Sequence, residues 1–142
     1  MCGRYASSRR PDDLVSYFEV EDPPEEELAP SWNVAPTDPV YAVVQSREGV
    51  RQLRVLRWGL VPSWSKDAKG AARMINARSE SVREKPAFRK AWTSRRCLAP
   101  ADGCYVWKQE GSTQQPSHLS APDPLARAGL YRHCKTPGVA WL

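Results

Sequence analysis

Apolar residues recur at two different spacings along the chain, and the spacing predicts which segments are helices and which are strands. In RRPDDLVSYFEV (residues 9–20), Leu14 and Phe18 stand one helical turn apart. Asp12 and Asp13 follow a proline, and acidic side chains in a first turn stabilise a helix because they face its positive end. This segment therefore predicts a short amphipathic helix.

The middle of the chain changes to the two-residue period of a strand. VYAVVQ (residues 40–45) is an apolar run, SREG (46–49) has turn composition, and VRQLRVLRWGLV (50–61) alternates between apolar and polar residues. Two such runs around a short turn predict a β-hairpin. Pro62 limits continuation of the second strand, so PSWSKDAKG (62–70) is expected to be a loop.

The remaining segments complete an α+β pattern in which antiparallel strands dominate. KPAFRKAWTSRR predicts a second helix because its proline is placed at a helix start. RCLAPADGCYVWKQ predicts a strand, a turn at Asp102-Gly103 and another strand. We further expect an irregular, extended segment in DPPEEELAPSWNVAPTDP (22–39) and a hairpin turn in QEGSTQQPSHLS (109–120). Two more strands are expected, in LARAGLYRHC (125–134) and GVAWL (138–142).

Composition places the chain among ordinary globular proteins. Its 142 residues suffice for one domain, with 41% hydrophobic and 26% charged residues. No stretch approaches the roughly 20 apolar residues of a membrane span, and no secretory signal is visible, so we expect a cytoplasmic protein without a membrane partner. The four cysteines have no metal-ligand spacing and predict free thiols, with neither metal nor cofactor.

The charge is unevenly distributed. The net charge is +5 and the pI is near 9.2, and most of the excess lies in residues 47–96, where Trp58, Trp64 and Trp92 stand among the basic residues. Positive charge with flat aromatic faces is what single-stranded nucleic acid requires. The alternative is a solvated basic face over buried tryptophans, and composition leaves both open.

The start of the chain suggests a specific chemistry. In MCGRYA, Cys2 is small enough for the initiator Met1 to be removed, which would leave a terminal cysteine. Its α-amine and thiol have ordinary pKa values near ~7.7–8.0 and ~8.5, so both are partly nucleophilic at neutral pH. Such an aminothiol condenses with aldehydes, first to a Schiff base and then to a thiazolidine. The alternative is a small residue in a frayed terminus.

Five motifs give the chain its resemblance to a known family. They are MCGRYA (1–6), WNVAPT (32–37), LRWGLVPSW (56–64), INARSESV (75–82) and RRCLAPADGCYVWK (95–108). Together they resemble, in order, the SOS response-associated peptidase (SRAP) family of abasic site processing proteins. The resemblance implies a single SRAP domain, a barrel-like antiparallel sheet with short helices, over residues 1–142.

The resemblance also implies an activity. Family members release the residue ahead of Cys2 and attach this cysteine, through a thiazolidine, to ring-opened abasic sites in single-stranded DNA. The ring-opened abasic sugar is an aldehyde, so this activity agrees with the chemistry of a terminal aminothiol. The implied partner is single-stranded DNA with abasic sites, bound by a monomer that associates with the nucleoid.

Individual roles follow from the matched motifs. Besides Cys2, the resemblance implies that Asn76 is catalytic and hydrogen-bonds the terminal amine or the sugar. It implies DNA contacts for Arg4 and Arg78, through phosphates, and for Trp64, against the bases beside the lesion. We expect Asn76 and Arg78 to share one face of an extended strand, because they are two residues apart. Trp58 is assigned to the core.

Two family features are not matched. Val106 stands where the family has a catalytic glutamate, and the family's H-x-R-M-P histidine motif is not reached. His118 and His133 lie outside that motif, and neither is assigned its role. The chain is therefore expected to be a truncated member with impaired crosslinking. Two alternatives stay open: a fragment that binds single-stranded or junction DNA without a covalent bond, and an inert truncated product.

Overall fold

A computed structural model describes residues 3–65, 67–133 and 140–141 of the chain. It has one curled, mostly antiparallel sheet and two short α-helices, which confirms the expected α+β class. The elements are β1 (Tyr5–Ser7), α1 (Pro11–Tyr17), β2 (Ser31–Val34), β3 (Pro39–Gln45), β4 (Arg51–Arg57), a 3-10 helix (Ala71–Arg73), α2 (Pro86–Ser94), β5 (Arg96–Glu110), β6 (Thr113–Leu130), β7 (Arg132–His133) and β8 (Ala140–Trp141).

The sheet curls into a half-barrel around β5. The strand order is β2-β1-β5-β3-β4-β8-β7, and β6 pairs with the other edge of β5. The described pairs of named strands are antiparallel except β4 with β8. Side chains on the inner face form the main core, which includes Tyr5, Val40, Leu56 and Trp58. Trp58 is thus confirmed as a core residue, with 3% of its surface exposed.

The first helix and the hairpin form as the spacing predicts. β3 and β4 pair in register from Pro39 opposite Arg57 to Gln45 opposite Arg51. Every residue from Val40 to Val44 is buried, because β3 has the main core on one face and α1 on the other. Leu14 of α1 and Phe18, the residue after the helix, pack with Leu53 on that second face.

The predicted turn at Asp102-Gly103 is wrong. β5 runs continuously through this position, with a β-bulge between Ala101 and Gly103. The carboxylate of Asp102 accepts hydrogen bonds from the backbone N–H and the hydroxyl of Ser8 and from Nε of Arg9. Asp and Gly favour a turn when their polar groups bond locally, whereas here the partners come from the N-terminal segment.

Two other expectations are corrected in detail. The segment expected to be irregular contains β2, because Ser31–Val34 pairs with β1. LARAGLYRHC is not a separate strand, since β6 extends through it to Leu130 before the short β7 begins. GVAWL is described only at 140–141, as β8. The second helix is confirmed as α2, and its Phe88 packs with Leu60 and Val82 in a smaller cluster.

Candidate functional site

The N-terminal strand β1 pairs with the middle of β5, at Gly103 and Cys104. Cys2 lies outside the described residues, and Gly3 is the first that the structure describes. The carbonyl of Arg4 accepts a hydrogen bond from the backbone N–H of Tyr105 at 3.0 Å. Nη1 of Arg4 donates to Oδ1 of Asn33 at 2.9 Å, and the hydroxyl of Tyr105 donates to the carbonyl of Trp32 at 2.7 Å. These bonds fix β1 between β2 and β5.

Tyr5 and Trp58 connect this strand to the segment that contains Asn76. The two rings pack edge to face, with centroids 5.1 Å apart. Nε1 of Trp58 donates to the carbonyl of Ile75 at 3.0 Å, one residue before Asn76. A second bond, from the N–H of Leu60 to the carbonyl of Met74 at 3.0 Å, holds the same segment. Buried packing thus links the strand next to Arg4 with the loop that contains Asn76, although 72 positions separate these two residues in the sequence.

The expectation that Asn76 and Arg78 lie on a strand is wrong. Residues 74–78 form a loop after the 3-10 helix, and both side chains are exposed. Among residues 3–65 and 67–133 no strand pairs with this loop; its Met74 and Ile75 carbonyls accept hydrogen bonds from Leu60 and Trp58 instead. The carbonyl of Arg78 accepts from the N–H of Val82 at 2.9 Å and begins the following turn.

Trp64 and Arg78 have surfaces that are available for contact. Trp64 has 60% of its surface exposed, in the loop after Pro62. Such exposure is compatible with the base contact that the family resemblance implies for Trp64. Within residues 3–65 and 67–133, the guanidinium of Arg78 makes no hydrogen bond or ion pair. Hydrogen bonds from Leu60 and Trp58 to the carbonyls of Met74 and Ile75 tie the segment before the Trp64 loop to the segment before Arg78.

A cavity of about 1000 Å³ opens on the inner side of the half-barrel. Asn76 lies at its wall with Trp58, and its floor includes Cys97 and Ala99 of β5 and Arg127 of β6. The described lining contains three arginines and neither Asp nor Glu. Burial raises the pKa of the Cys97 thiol to about 12, so this cysteine stays protonated at neutral pH.

Val106 lies on β5 just beyond the bond that joins Tyr105 to Arg4. It is partly buried and is paired with Ser117 of β6. His118, the next residue on β6, has its ring 4.9 Å from the ring of Tyr105. Valine cannot exchange a proton, so this position supplies no acid–base group to the N-terminal strand.

The sequence reasoning did not single out Trp32 or Arg127. Trp32 on β2 has 65% of its surface exposed, and its carbonyl bonds to Tyr105. The guanidinium of Arg127 lies 3.7 Å from the ring centroid of Tyr5. Alternation along LARAGL could have pointed to Arg127, because its neighbours at two-residue spacing, Leu125 and Gly129, share its face of the strand. Its partner rings could not be read from the sequence.

The described residues contain no group of three or more His, Cys, Asp or Glu side chains placed to hold a metal ion. In the same part of the chain, none of the helices has the length and apolar character needed to cross a bilayer.

Comparisons with known proteins assign the chain to a family. The family described as "SOS response associated peptidase (SRAP)" matches residues 1–142. The chain is 42% identical over 141 residues to the abasic site processing protein YoqW of Bacillus subtilis, covering 96% of this chain and 62% of YoqW. It is 29% identical over 145 residues to the abasic site processing protein HMCES of Xenopus tropicalis, covering 86% of this chain and 43% of that protein.

A solved structure shares the fold. A crystal structure of a protein from Bacteroides thetaiotaomicron superimposes with a TM-score of 0.78 at 22% identity, covering 99% of this chain and 61% of that one. The chain thus spans about six-tenths of the length of YoqW and of this structural relative. The match over all 142 residues and the identity to YoqW show that the chain belongs to the SOS response associated peptidase family.

Proposed function

We propose that this chain processes abasic sites in single-stranded DNA by linking Cys2 covalently to the ring-opened sugar. The observation that carries the proposal is the packing of Tyr5 against Trp58, whose Nε1 holds the carbonyl next to Asn76. This packing supports a site in which the strand that follows Cys2 and the Asn76 loop act together. The names of the relatives, which are abasic site processing proteins, support the substrate.

The covalent step needs only the terminal aminothiol and the aldehyde. After hydrolysis of the Met1–Cys2 amide, the free amine of Cys2 adds to the aldehyde carbon, and loss of one water gives a Schiff base. The thiol then adds across the C=N bond: sulfur bonds to carbon, and the proton ends on nitrogen. The net result is a thiazolidine and one released water. The amide of Asn76 can hydrogen-bond the amine or the sugar, since it carries both donors and an acceptor.

DNA contacts are proposed for three residues. Arg4 and Arg78 would bind phosphates, and an exposed guanidinium such as that of Arg78 offers several N–H donors. Trp64 would stack on a base beside the lesion, because most of its surface is exposed. The expected rate is low, since Val106 cannot transfer the protons that sugar opening and Schiff base formation require.

A denaturing gel with an abasic oligonucleotide tests the covalent reaction. The natural chain should give a slower-migrating adduct, Cys2→Ala should give none, and Cys97→Ala should match the natural chain because its thiol is buried and protonated. Intact mass should show loss of Met1 and an adduct one water lighter than the sum of its parts. Full retention of Met1, or an adduct formed by Cys2→Ala, would refute the mechanism.

Non-covalent binding of single-stranded DNA is the second candidate. It is favoured by the exposed Trp64 and by Arg78, whose guanidinium has no partner among the described residues. In this case Cys2→Ala should bind an undamaged oligonucleotide as well as the natural chain does, and no adduct should form with either protein. A measurable adduct that requires Cys2 decides for the first candidate.

A further inference from the structure

Arg127 of β6 is a cation placed inside the half-barrel. It pairs with Ala99 of β5, so both side chains are on the inner face of the sheet. The small side chain of Ala99 leaves room for the guanidinium, which lies 3.7 Å from the ring centroid of Tyr5 and 5.8 Å from that of Trp58. These contacts hold the guanidinium at the two rings that join the N-terminal strand to the Asn76 loop.

The hydrogen-bonding capacity of Arg127 is not used by the described residues. Its Nε is buried and has no hydrogen-bond partner, and no carboxylate among residues 3–65 and 67–133 forms an ion pair with it. A buried N–H of a cation without an acceptor is costly, so such a group in a folded protein calls for an acceptor from outside the chain, such as a bound anion or an ordered water. Aromatic faces stabilise the charge but accept no conventional hydrogen bond.

The surroundings favour an anion. The cavity that Arg127 lines has no Asp or Glu among its described lining residues, and it also contains Arg51 and Arg96. Arg51 is already paired with Glu19, whereas Arg96 forms no ion pair within the described part of the chain. A guanidinium with a free edge binds phosphate oxygens through parallel N–H donors.

We infer that Arg127 and the cavity it lines bind a phosphate group, and that this group belongs to the DNA strand that carries the abasic site. This inference deepens the proposed function: the phosphate is taken to be that of DNA because the proposed substrate is DNA. Through Tyr5, the guanidinium adjoins the strand that follows Cys2. A phosphate held there would keep the strand at the cavity mouth beside Asn76.

Binding of an oligonucleotide that contains a tetrahydrofuran abasic analogue tests this inference. The analogue has no aldehyde and cannot form the adduct, so the result does not depend on Cys2 chemistry. By fluorescence anisotropy, Arg127→Met should weaken binding roughly tenfold or more, as expected for loss of a charge-assisted hydrogen bond. Arg10→Met removes an equal charge from a residue outside the cavity and should change binding less than twofold.

A second measurement reports on the guanidinium itself. In a ¹H–¹⁵N spectrum of the natural chain, the Nε–H signal that Arg127→Lys removes should shift when the oligonucleotide or inorganic phosphate is added. A shift with both, and competition between them, supports a DNA phosphate. If phosphate shifts the signal while oligonucleotide binding is unchanged in Arg127→Met, the cavity binds a free phosphate ester and the DNA source is refuted.

Stability separates a binding role from a structural one. Methionine preserves the apolar stem of Arg127 and removes an unpaired cation, so Arg127→Met should unfold at the same temperature as the natural chain or higher. Unfolding of this variant, equal binding losses in Arg127→Met and Arg10→Met, or an Nε–H signal that neither ligand shifts would each overturn the inference.

Discussion

Cys97 provides a direct test of whether water is excluded from the floor of the cavity. The thiol lies on β5 with 7% of the residue exposed, and burial raises its pKa from an ordinary 9.0 to about 12. In the unfolded chain the same thiol ionises near its ordinary value. Between these two pKa values the unfolded state binds fewer protons than the folded state, so the free energy of unfolding falls as pH rises.

The magnitude follows from the two pKa values. One pKa unit corresponds to about 1.4 kcal/mol, so the contribution of Cys97 is fully present below pH 9 and is lost progressively up to pH 12. At pH 10 the loss is about 1.4 kcal/mol, a measurable part of the roughly 5–15 kcal/mol by which a typical domain is stable. Alanine at this position cannot ionise and should abolish this part of the pH dependence.

Urea unfolding of the natural chain and Cys97→Ala at pH 7, 8, 9 and 10, under reducing conditions, measures the effect. The stability difference between the two proteins should be constant up to about pH 8 and shift by about 1.4 kcal/mol in favour of the variant at pH 10. Burial also raises the pKa values of Tyr41 and Tyr131, but both tyrosines are present in each protein. A difference that stays constant to pH 10 would refute the desolvation of this thiol.

Four substitutions test other parts of the structure. Arg78→Ala should flatten the log–log salt dependence of binding to single-stranded DNA by about 0.7, one phosphate contact; an unchanged slope would remove that role. Trp64→Ala should weaken this binding by about 1–3 kcal/mol per stacked base and leave the slope unchanged, which the same titration checks. Val106→Glu should speed adduct formation, by up to the ~10²–10⁴-fold of general acid–base catalysis, in a gel time course; no gain in a folded variant would contradict the role of this position. Gly59→Ala should lower the free energy of unfolding in urea by about 3 kcal/mol or more, because Gly59 has a φ of +130° and an added Cβ would lie 2.5 Å from the carbonyl oxygen of Ala71. A smaller loss would mean that the turn at Ala71 moves away from the new side chain.

The site could be read from the sequence only where a motif or a single residue carries the information. Exposure of Trp64 agrees with its polar loop, and burial of Trp58 agrees with the two-residue spacing that it shares with Leu56 and Leu60. The loop conformation at Asn76 could not be read in this way. It depends on the indole N–H of Trp58, which takes the Ile75 carbonyl that a strand would have offered to a neighbour.

The sequence by itself determined the local elements. The signals are proline and acidic residues at the start of α1, proline at the start of α2, and two-residue alternation in β4. Each signal spans only a few residues, so it can be recognised without knowing the rest of the chain. The motifs determined the family in the same way, since they are read in order along the chain.

Only the tertiary structure decided the path of β5 and the interior of the half-barrel. Asp102-Gly103 has the composition of a turn, yet the carboxylate bonds to Ser8 and Arg9, and pairing with β6 keeps the strand continuous. Arg127 lies against Tyr5 because sheet register places it opposite Ala99. Asp102 is more than 90 positions from Ser8 and Arg9 in the sequence, and Arg127 is 122 positions from Tyr5 and 28 from Ala99. Hydrogen bonds and sheet register that form only on folding therefore prevail over local preference.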